Sequence, residues 1–199
     1  MEHEKRTLHA RSWLRAVAIV AGVAAIGAAT AEGQARRQGQ LLAVGVGGGF
    51  DQVACEVCAG TPRSGLAGFL RFGGALNDRL VLAAELDGWT RTDEDTRQLL
   101  VALSAVVLLY ADAEAGFHLR LGAGAVGFRA SEDGEALTAL TAGVSGGVGY
   151  DVPITESLSL TPFANLVLAP FADLDFNGDA AVGGATLGLL HGGLALTWH

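Results

Sequence analysis

Proline is scarce in this chain, four in 199 residues, and its 29 glycines follow no Gly-X-Y period. A collagen-like or a low-complexity disordered chain is thereby excluded. Charged residues make up only 17%, with 21 acids against 13 bases. Binding nucleic acid requires a basic surface, so no nucleic-acid partner is expected. Only two cysteines occur, Cys55 and Cys58, too few for a disulfide framework or a four-cysteine zinc site. No apolar run reaches the roughly 20 residues that a membrane-spanning helix needs. After the N-terminal segment, no helix-period stretch of useful length remains.

What is present begins with an export pattern. Lys5, Arg6, Arg11 and Arg15 form a basic start, Ala16–Ala28 is apolar and small, and Ala29-Thr30-Ala31 is an A-x-A site. Residues 1–31 therefore read as a cleavable signal peptide, and 32–39 as a short linker. Removing 1–31 takes away four of the 13 Lys and Arg and two of the 21 Asp and Glu, leaving a net charge of −10. Export also bears on the C-E-V-C pair. Oxidising compartments preserve disulfides, so Cys55 and Cys58 are expected to staple a loop, with free thiols or a metal or redox role as alternatives.

From residue 40 to 199 the chain alternates apolar and small or polar residues, the period of a β-strand. Half of the residues are apolar, and glycine inside such segments points to close-packed strands rather than helices. The expected strands are Gln40–Phe50, Ser64–Leu76, Arg79–Thr90, Leu99–Tyr110, Phe117–Arg129, Thr138–Asp151, Ser157–Phe171 and Gly184–His199. Leu99–Tyr110 is apolar on both faces and is the best rival for a helix, but its valines and flanks favour a strand. Between the strands, polar stretches at 51–63, 90–97, 130–136 and 172–183 read as long loops, alternating with short turns. Eight amphipathic strands about the length of a tilted bilayer crossing, joined by alternating loops and turns, predict an all-β fold. It is an eight-stranded antiparallel up-and-down transmembrane β-barrel.

The last strand is the most specific. Gly188, Leu190, Leu194, Leu196 and Trp198 lie on one face, and His191, Gly193, Ala195 and Thr197 on the other. Residues 40–199 resemble the family of small bacterial outer-membrane β-barrel proteins with eight strands and no periplasmic domain. That family's terminal signal runs polar, any, Gly, two of any, hydrophobic, any, aromatic, and His191, Gly193, Leu196 and Trp198 fill those places. One departure is that His199 follows the aromatic. The resemblance implies insertion by the outer-membrane machinery, a location in the bacterial outer membrane among its lipids, and a monomer. It implies a class rather than an activity, since such barrels include adhesins, small pores, lipid-modifying enzymes and structural proteins.

Four sets of residues are candidates for chemistry. Assigning the apolar rows to lipid leaves Arg71, Glu85, Asp87, His118 and Arg120 pointing inward, where opposite charges can pair as a plug in a lumen just wide enough for side chains. A gate or narrow polar pore is the alternative. Asp173, Asp175, Asn177 and Asp179 match the opening half of a calcium loop, with oxygens at alternate positions and Gly178 at the bend, but the closing glutamate is missing, since Gly184 stands there. The acidic stretches around Asp93-Glu94-Asp95, Glu132-Asp133-Glu135 and Asp173 to Asp179 fall on one rim and suit divalent cations bridging anionic glycolipid. No nucleophile-base cluster stands out among Ser145, Ser157, Ser159, His118 and His191, so no enzyme activity and no cofactor beyond calcium are expected. A structural or adhesive surface role leads, with a small pore or transporter for ions or apolar molecules second and a lipid-modifying enzyme third.

Overall fold

The structure, a computed structural model, describes residues 39–55, 60–112 and 116–199. The expected signal peptide (1–31), the linker up to residue 38, and Cys58 lie outside the described residues. All regular structure among the described residues is strand: β1 Gln40–Ala54, β2 Arg63–Asn77, β3 Leu80–Asp93, β4 Thr96–Tyr110, β5 Phe117–Glu132, β6 Glu135–Tyr150, the two-residue β7 Val152–Pro153, β8 Leu158–Phe176 and β9 Asp179–Trp198. Each long strand pairs antiparallel with the next, β8 pairs back to β6, and β9 pairs with β1 (Leu42 opposite Trp198), closing an eight-stranded barrel. Thr96–Tyr110 is a strand, as its valine content favours.

Period-two alternation sorts the side chains. Val44, Val46, Leu70, Phe72, Leu103, Leu121, Leu166 and Leu194 stand exposed on the outer wall, while Ala43, Phe69, Val81, Leu108, Val167 and Leu187 are buried in the lumen. An exposed leucine wall around a closed barrel is the pattern of strands facing lipid.

Three of the expected long loops are not loops. β3–β4, β5–β6 and β8–β9 are each joined by two residues, Glu94-Asp95, Asp133-Gly134 and Asn177-Gly178, with positive φ at Glu94, Asp133, Gly134, Asn177 and Gly178. Such tight turns keep the twist of the flanking strands. The strands therefore run 14 to 20 residues, beyond the roughly 9–11 that a tilted crossing needs. Polar residues at 90–97, 130–136 and 172–183 belong to hairpin arms that have left the membrane, largely exposed apart from the buried Ala172 and Leu174. The connection from Ala54 of β1 to Arg63 of β2 is the widest at this rim. Among its described residues, Gly60 O accepts from Gln52 Nε2 at 2.8 Å.

The longest hairpin, β8–β9, carries three register shifts. β8 takes an extra residue at Phe171 and β9 one at Gly184, both with positive φ, and β9 takes another at Ala181. The inward row of β8 accordingly steps from Val167 and Ala169 to Ala172 and Leu174, so the inserted residue keeps its apolar lining continuous.

Candidate functional site

The lumen is stacked in layers. Toward the hairpin rim lies an apolar cluster around Trp89, Leu100, Phe128, Val167, Leu174, Leu187 and Leu189, and toward the rim of the chain ends a second around Leu41, Phe69, Val81, Leu108 and Phe163. Trp89 is held in the first by its Nε1 donating to Gly49 O at 3.2 Å.

Between the two clusters lies a charged layer. Arg71 pairs through Nε with Glu85 Oε2, and Arg120 Nη2 bridges Glu85 Oε1 and Asp87 Oδ2, the latter at 3.1 Å. Register explains the first pair, since Arg71 and Glu85 are direct cross-strand partners. Arg71 also lies over the Phe69 ring, 4.7 Å from its centroid. His191 completes the layer, with Nε2 3.1 Å from Asp87 Oδ1, an ion-pair distance without hydrogen-bond alignment, and its ring edge-on to Phe163. Two arginines and two carboxylates balance one another, as a buried set must to offset desolvation. Among the described residues, Arg120 Nε and Nη1, Ser145 Oγ and Asn165 Nδ2 have no protein hydrogen-bond partner.

His118 lies below this layer, not in it. It belongs to a polar cluster at the mouth near the chain ends, centred on the buried Asp151. Tyr110 donates its hydroxyl to Asp151 Oδ2 at 2.9 Å and Thr161 donates to Oδ1 at 2.7 Å. His118 Nδ1 and His199 Nε2 stand 3.9 and 3.8 Å from that carboxylate. His199 turns back into the barrel after Trp198, its backbone N–H donating to Ser157 O.

The fold thus assembles a Ser–His–Asp set, Ser159, His199 and Asp151, that sequence spacing did not show. Ser159 Oγ is 3.4 Å from His199 Nε2. A proton relay holds its acid and its hydroxyl on opposite ring nitrogens, whereas here both approach Nε2, so the set is ordered as a hydrogen-bonded mouth rather than as a relay. Its members come from the β6–β8 connection, β8 and the last residue, and the β8–β9 register, with Ser159 opposite Thr197, brings the serine and the histidine together.

The remaining candidates fall outside the lumen's centre. In the terminal row, His191 is buried in the charged layer, Gly193 lies at the β1–β9 seam, and Leu196 and Trp198 face outward. Cys55 is disulfide-bonded and packs against the outer apolar cluster.

The calcium motif needs correcting. Asp173 and Asp175 lie on β8, not in a loop. Asn177 is the first turn residue, and its Oδ1 accepts the Ala136 N–H at 2.9 Å. A tight hairpin spreads the four residues along its arms, whereas a calcium loop curls them about one point. Among the described residues, no group of three or more His, Cys, Asp or Glu is placed to hold a metal. Asn177 has a structural use instead, with φ of 52° and a bond joining two hairpin tips. Asn177→Ala loses both and is expected to cost about 1 kcal/mol, read as a lower urea midpoint, while Asn177→Gly keeps the turn and loses less.

No family model matches the sequence, and no curated protein does. Among solved structures, the attachment invasion locus protein Ail of Yersinia pestis superposes with a TM-score of 0.57 at 11% identity, over 80% of this chain and 99% of Ail. Neisserial surface protein A superposes with 0.54 at 18% identity, over 81% of this chain and 97% of that one. A second Ail structure, in complex with the heparin analogue sucrose octasulfate, gives 0.53 at 10% identity, over 80% and 99%. With its closed meander of eight strands and its leucine-covered wall, the chain has the fold of the small eight-stranded β-barrels of bacterial outer membranes.

Proposed function

We propose that the protein is a sealed monomeric barrel of the outer membrane that works through its outer surface, in a structural or adhesive role. The filled lumen carries this reading. Two packed apolar clusters and a neutralised charge layer occupy the interior, and a barrel of this strand number has room for little else. Three hairpins extend past the membrane band on one rim and hold nine of the chain's 21 acids. The likeness to proteins named for attachment and for the cell surface supports the same reading. The terminal row of His191, Gly193, Leu196 and Trp198 would address the chain to the insertion machinery.

The test is conductance. Protein refolded into a planar bilayer is expected to leave the current at baseline, and so is Arg71→Ala, because Arg120 still holds Glu85. Discrete current steps with either protein would show that the layer is a gate and the lumen a pore. One observation favours a second reading, the passage of small apolar molecules. The β6–β8 ladder is interrupted between Thr138 and Val144, beside the outer apolar cluster. Vesicle uptake of an apolar dye, faster with the protein than without it, would select that reading.

A further inference from the structure

We infer that Arg97 and Arg129 form a binding face for the phosphate of an anionic lipid in the outer leaflet, an inference that rests on the outer-membrane reading above. The two side chains are exposed and point outward on neighbouring strands β4 and β5. Leu99 lies opposite Arg129 and Arg97 opposite Ser131. The two arginines are therefore diagonal neighbours, about 7–8 Å apart at the backbone and within reach of one small anion for side chains of this length. Hydroxyls flank them, with Thr92 opposite Arg97 and Thr138 opposite Arg129.

Depth identifies the ligand. Outward positions on β4 run Leu109, Val107, Ala105, Leu103, Val101 and Leu99 before reaching Arg97. On β5 they run Phe117, Leu119, Leu121, Ala123, Ala125 and Gly127 before Arg129. Twelve residues of strand, tilted about 40°, climb roughly 30 Å. An apolar band on such barrels is about 25 Å tall, which puts both guanidiniums just above the hydrocarbon, level with lipid headgroups. A soluble polyanion would be met higher up, at the hairpin tips, and those tips are acidic.

Charge supports the same ligand. In a chain of net charge −8, these two cations form no ion pair among the described residues with the acids close to them. Asp93 pairs with Arg91, and Glu132 accepts a hydrogen bond from Thr96 Oγ1. Arginine suits the task because its planar fork meets phosphate oxygens in pairs and is weakly hydrated beside apolar surface.

The experiment is native mass spectrometry of the full chain, refolded in detergent and offered diphosphoryl lipid A or the uncharged lipid diacylglycerol. The wild-type barrel is expected to retain lipid A and not diacylglycerol, and R97Q/R129Q to lose about tenfold in apparent affinity. R97K/R129K, which keeps charge but not the fork, should fall between. Equal retention by wild type and R97Q/R129Q overturns the inference. Comparable binding of sucrose octasulfate or inorganic phosphate at these arginines overturns it in favour of a soluble anion. Failure of the wild-type protein to float with lipid vesicles would instead sink the membrane reading itself. Both positions are exposed, so the variants should keep the wild-type gel shift on heating, which separates lost binding from lost fold.

Discussion

Gly193→Val is expected to keep the barrel from closing, with a loss of at least about 3 kcal/mol, the upper end for overpacking. Gly193 and Gly47 face each other across the β1–β9 seam. A Cβ on Gly193 would run into Val46 O and the Gly47 Cα, and one on Gly47 into Gly192 O and the Gly193 Cα. The obstacle is backbone on both sides, which cannot turn aside as a side chain would. Glycine here allows two strands to approach closely. Refolding from urea into detergent, followed on an unboiled gel, reads the outcome, and the compact band should be missing. Gly47→Val should fail in the same way. If Gly47→Val folds while Gly193→Val fails only in cells, the fault lies in recognition of the terminal signal. If both refold with unchanged midpoints, the close seam is not a constraint.

Arg120→Ala is expected to be the most damaging change in the charged layer, costing about 3–5 kcal/mol. Among the described residues its guanidinium alone touches both Glu85 and Asp87, and both carboxylates are fully buried. Without it, Asp87 keeps only His191 and Glu85 only Arg71. Removing one partner of a buried pair leaves a charge without compensation, and that is the costly case. Arg71→Ala should cost less, because Glu85 retains Arg120. Replacing all four of Arg71, Glu85, Asp87 and Arg120 with apolar residues of similar volume should be milder than Arg120→Ala alone, since it strands no charge. Urea unfolding in lipid vesicles gives the comparison. A loss below about 1 kcal/mol for Arg120→Ala would mean that water reaches the layer and the lumen is not sealed.

The transmembrane part of this fold is legible in the sequence because lipid imposes a sharp contrast between the faces of each strand. Leu70 beside Arg71 and Leu86 beside Glu85 and Asp87 give direction to every residue between them. Where the strands leave the membrane the contrast disappears. Thr90–Arg97 and Ala130–Ala136 carry polar residues on both faces because both faces are wet, and they read as loops although they are paired strand. The step at Phe171 was hidden for another reason. An inserted residue reverses the alternation, and after Pro170 that reversal looks like the end of a strand. Inward direction was readable for Arg71, Glu85, Asp87 and Arg120, and the Arg71–Glu85 contact follows once register is known. The approach of His191 to Asp87 crosses the lumen between β9 and β3 and depends on closure, and the Asp151 cluster joins residues on or beside five strands through their register. No local pattern encodes either.

The glycine seam also bears on how the chain reaches its final state. Every other ladder among the long strands joins sequence neighbours, so those contacts form cheaply, whereas Leu42 meets Trp198 across nearly the whole length of the chain. Contacts of that separation form late and slowly. Until they form, the protein is an open meander with β1 and β9 as bare edges, whose unpaired N–H and C=O groups invite pairing with another chain. Small residues make such edges weak in register. The facing pair Gly47 and Gly193 supplies the missing information by exclusion. A slip by two residues would set Gly193 opposite Gly45 or Gly49 and move the bulkier His191 or Ala195, respectively, into the narrow place beside Gly47. The narrow place in the wall thus selects one alignment of two otherwise featureless edges, at the last step of assembly.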